Sequence, residues 1–169
     1  FREAFDAVVC ALPAPAAAPL CRGFDPRLAD ELAGIPYAGA AVVSLGVRLK
    51  DFARPPRFFG FVVPQIENRR ILACSCSSVK FPGRAPDEHV LLRVFVGGAG
   101  RPDLVDADDA DLAWIVRREL GDLLGLRGTP VGMWIARYGG RMPQYHVGHL
   151  DRVARIERHD LAELVDQGR

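Results

Sequence analysis

The chain has 169 residues and a mass of 18.5 kDa, enough for one compact domain with its own core, and no shift of composition divides it. Its 22 basic and 21 acidic residues leave a formal charge of +1 with no long block of either sign, which argues against nucleic acid or an acidic polymer as partner. The uncharged run from Ala7 is short and broken by Pro13, Pro15 and Pro19, so no membrane-spanning helix is expected, and the four cysteines, with no secretory leader, point to reduced thiols in a cytoplasm.

Phe5 to Leu12 is apolar, rich in Val and Ala and ended by a Pro/Ala stretch, which predicts a buried strand and a turn, followed by helix. Asp25 before Pro26 is a helix start, with Asp as N-cap and Pro in the first turn. Leu28, Leu32 and the stop at Gly34-Ile35-Pro36 fit a short helix. Tyr37 to Leu49 is a long β-branched run, and Lys50 to Arg57, with its prolines, is a loop. Further strands are expected at Phe58 to Val63, Arg70 to Ser77 and Glu88 to Val96.

Asp106 to Leu124 carries the clearest helical period: Leu112, Ile115, Val116, Leu120, Leu123 and Leu124 recur on one face, acidic residues crowd the first turn and Gly125 follows the last. Thr129 to Tyr138 reads as a strand, Gly139-Gly140 as a break, and His149 to Val165 as an amphipathic helix with Leu150, Val153, Ile156 and Leu161 inward. The order of elements predicts an α+β fold, a mixed, mostly antiparallel sheet with helices on one face.

The motifs are few. Gly97-Gly98-Ala99-Gly100 follows a strand but runs into Arg101-Pro102, where a phosphate-binding helix would have to begin, so it reads as a strand-ending turn. There is no Walker loop, Gly-x-Ser-x-Gly elbow or His-Glu-x-x-His pair, and nucleotide hydrolysis, acyl transfer and zinc proteolysis are without support. Cys74 and Cys76 share a strand face, but no second Cys or His pair stands at metal-ligand spacing. His146 and His149 flank Gly148 at a loop-to-helix junction, where polar contacts and capping are the expected roles. No metal ligand and no catalytic residue is assigned. Along Glu88 to Val96, alternation puts His89, Leu91, Arg93 and Phe95 on one face and Val90, Leu92, Val94 and Val96 on the other. The second face is core; the first, an aromatic beside an arginine, suits either a cavity for a flat apolar anion or a partly exposed strand face.

Three strings in order carry a family likeness: Ser77-Ser78-Val79-Lys80-Phe81-Pro82-Gly83-Arg84-Ala85-Pro86, then Leu92-Arg93-Val94-Phe95-Val96-Gly97-Gly98, then Met142-Pro143-Gln144-Tyr145-His146-Val147-Gly148-His149. Together they resemble the middle and C-terminal portion of the flavin-dependent protoporphyrinogen and coproporphyrinogen oxidases. Phe5 to Ala14 resembles the strand and turn at which such enzymes leave the cofactor domain. The chain starts at Phe1 rather than Met, and it is expected to be one domain, residues 1–169, cut from a larger oxidase.

The resemblance implies a monoamine-oxidase-like flavoenzyme in which FAD takes hydrogen from a porphyrinogen and oxygen reoxidises the flavin, with the protein supplying orientation and enclosure. It implies porphyrinogen and oxygen as partners, and a cytoplasmic location that leaves peripheral membrane contact open. By motif, Phe59, Val62, Ser75 and Phe95 are implied to line the tetrapyrrole cavity, and Tyr138, after Arg137, to neighbour the cofactor. The glycine-rich FAD segments of the family are missing, so the chain by itself is not expected to hold FAD or to turn over. Two other readings stand beside this one: a non-catalytic tetrapyrrole-binding module, and a flavin amine oxidase with another substrate.

Overall fold

The computed structural model describes residues 4–159. In chain order it contains α1 (Ala14–Cys21), α2 (Pro26–Ala33), β1 (Tyr37–Arg48), β2 (Gly60–Val62), β3 (Ile71–Cys76), α3 (Ser77–Lys80), β4 (His89–Gly97), α4 (Asp109–Leu124), β5 (Gly132–Pro143) and α5 (His149–Glu157). Where length alone suggests one domain, the contacts gather the chain into two compact units, one of them Ala38–Met142 and the other formed by the residues on either side.

The central unit is a five-stranded sheet in the order β2-β3-β4-β1-β5. The pairs β1/β4, β2/β3 and β3/β4 are antiparallel, as the run of short β-rich segments predicted. The period of two along β4 is realised fully: Val90, Leu92, Val94 and Val96 are buried, and they join Ala41, Val43, Leu45 and Val47 of β1 and Ile71, Cys74 and Cys76 of β3 in one core. Helix α4 closes that face with Leu112, Ile115, Val116 and Leu120. Each such side chain contributes roughly 1.5–3 kcal/mol by leaving water.

Helix α4 begins where its capping chemistry allows. The Asp108 carboxylate accepts the Asp111 N–H at 2.7 Å, and Asp109 and Asp111 stand at the positive end of the helix. Gly125, at φ 65, ends it in the left-handed conformation. Asp106 lies before the helix because Pro102–Leu104 take a tight 3-10 turn first. Glu119 belongs to the buried face although it is charged: it accepts the Arg70 backbone N–H at 3.0 Å and pairs with the Arg69 guanidinium at 3.1 Å.

Sequence and structure differ at Gly139-Gly140. The expected break is absent; β5 runs through both glycines to Pro143. Gly140 has φ +56, and a Cβ placed on Gly39 of β1 would come within 3.4 Å of the Gly139 Cα and the Gly140 nitrogen. The pair lies inside the strand rather than at its end: a Cβ on either glycine would meet nothing within 4 Å, and what glycine supplies is the positive φ at Gly140, while the close packing is on Gly39 of β1.

The other unit packs helices. Asp25 caps α2 as predicted, its carboxylate accepting the Leu28 N–H at 2.9 Å. Cys21, Leu28 and Ala29 form a small core, with Leu32 and Ile156 against it. Glu31 of α2 takes the guanidinium groups of Arg152 and Arg155 of α5. The predicted inward face of α5 is only partly realised: Val153 and Ile156 are half-buried, but Leu150 is 81% exposed, because the helix meets the small core through Ile156 alone. Leu161 and the rest of the predicted helix to Val165 lie outside the described residues. Phe5 to Leu12 forms no strand, and Val9 is 92% exposed; a β-rich segment needs a neighbouring edge, and no described residue pairs with it. Among the described residues no helix is long and apolar enough to cross a membrane.

Candidate functional site

Strand pairing on the sheet face away from α4 assembles two adjacent rows. Val62, Ala73, Phe95 and Val42 stand opposite one another across β2, β3, β4 and β1. One step along each strand pair, Gly60, Ser75, Arg93 and Ser44 do the same. Residues directly opposite in antiparallel strands share a face, so the first row is apolar and the second polar with a single cation. With strands about 4.8 Å apart, each row is roughly 14 Å wide, and the rows lie about 7 Å from one another. Burial is graded: Val42 is buried, Ala73 and Phe95 are half-buried, and Val62 is 78% exposed.

Of the residues implied to line a cavity, pairing thus brings Val62, Ser75 and Phe95 onto one surface. Phe59 is different. It precedes β2, its carbonyl accepts the Cys76 N–H at 2.8 Å, and its ring is 66% exposed, so the alternation that sets Val62 does not bring Phe59 beside it. Tyr138 lies on β5. The preceding Arg137 donates to the Val105 and Ala107 carbonyls and pairs with Asp109 at 2.7 Å, all on the α4 side, so alternation turns the half-exposed Tyr138 to the face that holds Phe95. The β1 residues Val42 and Ser44 carry no sequence signal of a site; only long-range pairing with β4 puts them there.

Arg93 is exposed and stacks its guanidinium over the Phe95 ring at 5.8 Å from the centroid. Behind the face, Cys74 and Cys76 point into the core. Burial pushes the Cys74 thiol up to about 12 and raises that of Cys76 as well, so neither supplies a thiolate for metal or redox work. Among the described residues no cluster of three or more His, Cys, Asp or Glu could hold a metal. Capping by the histidines at α5 is not seen: Gly148 is the N-cap with no side-chain cap, and the His149 ring lies 4.6 Å from that of Tyr145.

A dinucleotide cradle is not built by the described residues. Gly97 and Gly98 sit at φ 98 and 77, and a Cβ on them would meet Val105 at 2.5 Å and Leu72 at 2.8 Å, so close packing at a turn accounts for both. The chain continues from them into the short turn Pro102–Leu104 and not into a helix N-terminus, and the next helix, α4, opens with acidic residues that repel a diphosphate.

Comparison with known proteins agrees with the likeness in the three strings. The coproporphyrinogen III oxidase of Propionibacterium freudenreichii is 39% identical over 152 residues, 90% of this chain but 28% of its own length. The mitochondrial protoporphyrinogen oxidase of Nicotiana tabacum is 31% identical over 92% of this chain and 32% of its own length. The chain therefore spans about a third or less of these relatives. A crystal structure from Exiguobacterium, provisionally described as a protoporphyrinogen oxidase, superposes with a TM-score of 0.71 at 30% identity over 90% of this chain and 33% of that one. Reduced UDP-galactopyranose mutase, at 17% identity and a TM-score of 0.59 over 82% of this chain and 28% of that one, shares the fold alone. Residues 2–157 match the family described as flavin containing amine oxidoreductase, and this chain belongs to that family.

Proposed function

We propose that the chain forms the substrate-holding portion of a flavin-dependent porphyrinogen oxidase, with the outer face of its sheet as one wall of the substrate site. The observation that carries the reading is the double row: an apolar strip of Val42, Phe95, Ala73 and Val62 beside a polar strip holding Arg93. A porphyrinogen has the matching character, a wide apolar body with carboxylates at its rim. The rings and methyl groups of the first strip would pack on the macrocycle, while the second meets the rim. Ser75 and Tyr138 are part of the proposal as rim and cofactor-side residues, and Phe59, off the two rows and exposed just before β2, as a substrate contact at the edge of the site. FAD, held by other parts of a longer protein, would supply the hydrogen acceptor, and oxygen its reoxidation; the residues of this chain bind and orient.

The test uses the full-length protein reconstituted with FAD. It is expected to convert a porphyrinogen to the fluorescent porphyrin in air, and Phe95→Ala is expected to raise KM about tenfold with a smaller change in kcat, as for lost apolar contact made equally in ground and transition states. Oxidation of an amine with porphyrinogen left untouched would instead establish the amine oxidase reading.

A further inference from the structure

We infer that Arg93 is the carboxylate-reading contact of this site and sets its preference among porphyrinogens by their number of carboxylates; the inference rests on the function proposed above. Three observations lead to it. First, the outer-face positions of the paired strands are Val42, Ser44, Gly46 and Arg48 on β1, Ala73 and Ser75 on β3, Gly60 and Val62 on β2, and His89, Leu91, Arg93 and Phe95 on β4, and none is acidic. Strand β5 contains no Asp or Glu at all. Second, among the described residues Arg93 makes no ion pair, and its guanidinium is spent only on the face of Phe95. Arg48, at the far end of the same face, already has Asp51 at 3.9 Å. Third, Arg93 is flanked across the strands by Ser75 and Ser44, whose hydroxyls can donate to the same anion, and Gly60 beyond Ser75 keeps the row low.

The geometry points to a flat ligand lying on Phe95 and its row, with one rim carboxylate reaching over to Arg93. The Arg93 guanidinium lies over the Phe95 ring, 5.8 Å from its centroid, and, with no ion pair among the described residues, it has N–H groups available for a two-point hold on a carboxylate. Coproporphyrinogen carries a propionate on every pyrrole ring, so any docked orientation presents one to Arg93. Protoporphyrinogen has vinyl groups in place of some of them, and in the orientations that place a vinyl there the arginine is left without an anion. Arg93 therefore favours the more carboxylated substrate.

The experiment compares wild type, Arg93→Met and Arg93→Lys in the full-length, FAD-loaded protein, with coproporphyrinogen III and protoporphyrinogen IX as substrates. A parallel fluorescence titration measures binding of the porphyrin coproporphyrin III. Arg93→Met is expected to raise KM for coproporphyrinogen about tenfold or more, and for protoporphyrinogen by less than about threefold, with kcat nearly unchanged for both. Arg93→Lys should recover part of the loss, since it keeps the charge without the fork. The Kd for coproporphyrin III should weaken in step. Equal effects on both substrates, the signature of a loosened Phe95, would overturn the inference, as would no effect on either. If wild type oxidised neither porphyrinogen, the proposed function would fall, and the titration alone would decide whether Arg93 holds a carboxylate: an unchanged Kd in Arg93→Met refutes it.

Discussion

Leu91 and Leu92 are identical residues one position apart on β4, and the register sends them to opposite faces of the sheet. Leu92 is fully buried; it stands opposite Leu45 and Cys76 in the core that α4 closes. Leu91 is half-buried and stands opposite Gly46, which offers it no side chain. Truncating Leu92 to Ala removes a buried isobutyl group and leaves a hole that β1, β3 and α4 cannot collapse to fill, so transfer and cavity terms add to about 3–4 kcal/mol. Truncating Leu91 leaves a hollow open to water, so only a share of the transfer term is lost, about 1 kcal/mol. At roughly 2–4 °C per kcal/mol for a chain of this length, the melting midpoint should fall by about 6–16 °C for Leu92→Ala and by only about 2–4 °C for Leu91→Ala. Urea unfolding followed by circular dichroism, with an unchanged slope in both variants, gives the same comparison at constant temperature. A Leu91→Ala loss equal to or greater than that of Leu92→Ala would mean that the pairing is shifted by one residue. Arg93 and Phe95 would then face α4, and the two-row face would not exist.

Two more outcomes rest on the chemistry of single groups. Thiol labelling at pH 8 should modify the exposed Cys10 in the folded chain and reach Cys74 and Cys76 only after unfolding, because burial pushes the Cys74 thiol up to about 12 and raises that of Cys76; labelling of Cys74 at the rate of Cys10 would contradict its place in the core. Asp25 titrates below its ordinary value of 3.8, chiefly through the Leu28 N–H it caps and with help from His159, so its stabilising effect is present above that value and is lost as pH falls through the lowered folded pKa. Asp25→Asn keeps the capping oxygen and removes the titration. Its stability should accordingly fall less steeply than wild type between pH 4 and pH 2 in pH-resolved urea titrations, and parallel curves would count against the linkage.

Much of the fold is written in short-range pattern. Asp25-Pro26, the acidic first turn and Gly125 around α4, and the alternation along β4 are chemical signals that act within a few residues, and the structure realises each of them where they stand. Sequence reading failed where local signals had more than one use. The glycine pair Gly139-Gly140 looks like a break because glycine ends strands, yet here β5 runs on through both, with Gly140 at φ +56. Phe5 to Leu12 has strand composition, but a strand exists only with an edge to pair to. Glu119 lies on the polar side of any residue scale, and only the Arg69 side chain and the Arg70 backbone, brought near it by folding, make its burial tolerable.

The candidate site divides in the same way. That Phe95 and Arg93 share a face, and that Val94 and Val96 do not, comes from the two-residue period of an extended chain, and the family likeness comes from three contiguous strings; both are properties of neighbouring residues. Which partners complete the face is a matter of register between strands far apart in sequence: Val42 with Phe95, Ser44 with Arg93, Ser75 with Arg93. Register is set by the fit of whole hydrophobic faces against α4, a sum over the core rather than a property of any one segment, and for that reason Ser44 and Val42 could be found only in the tertiary structure.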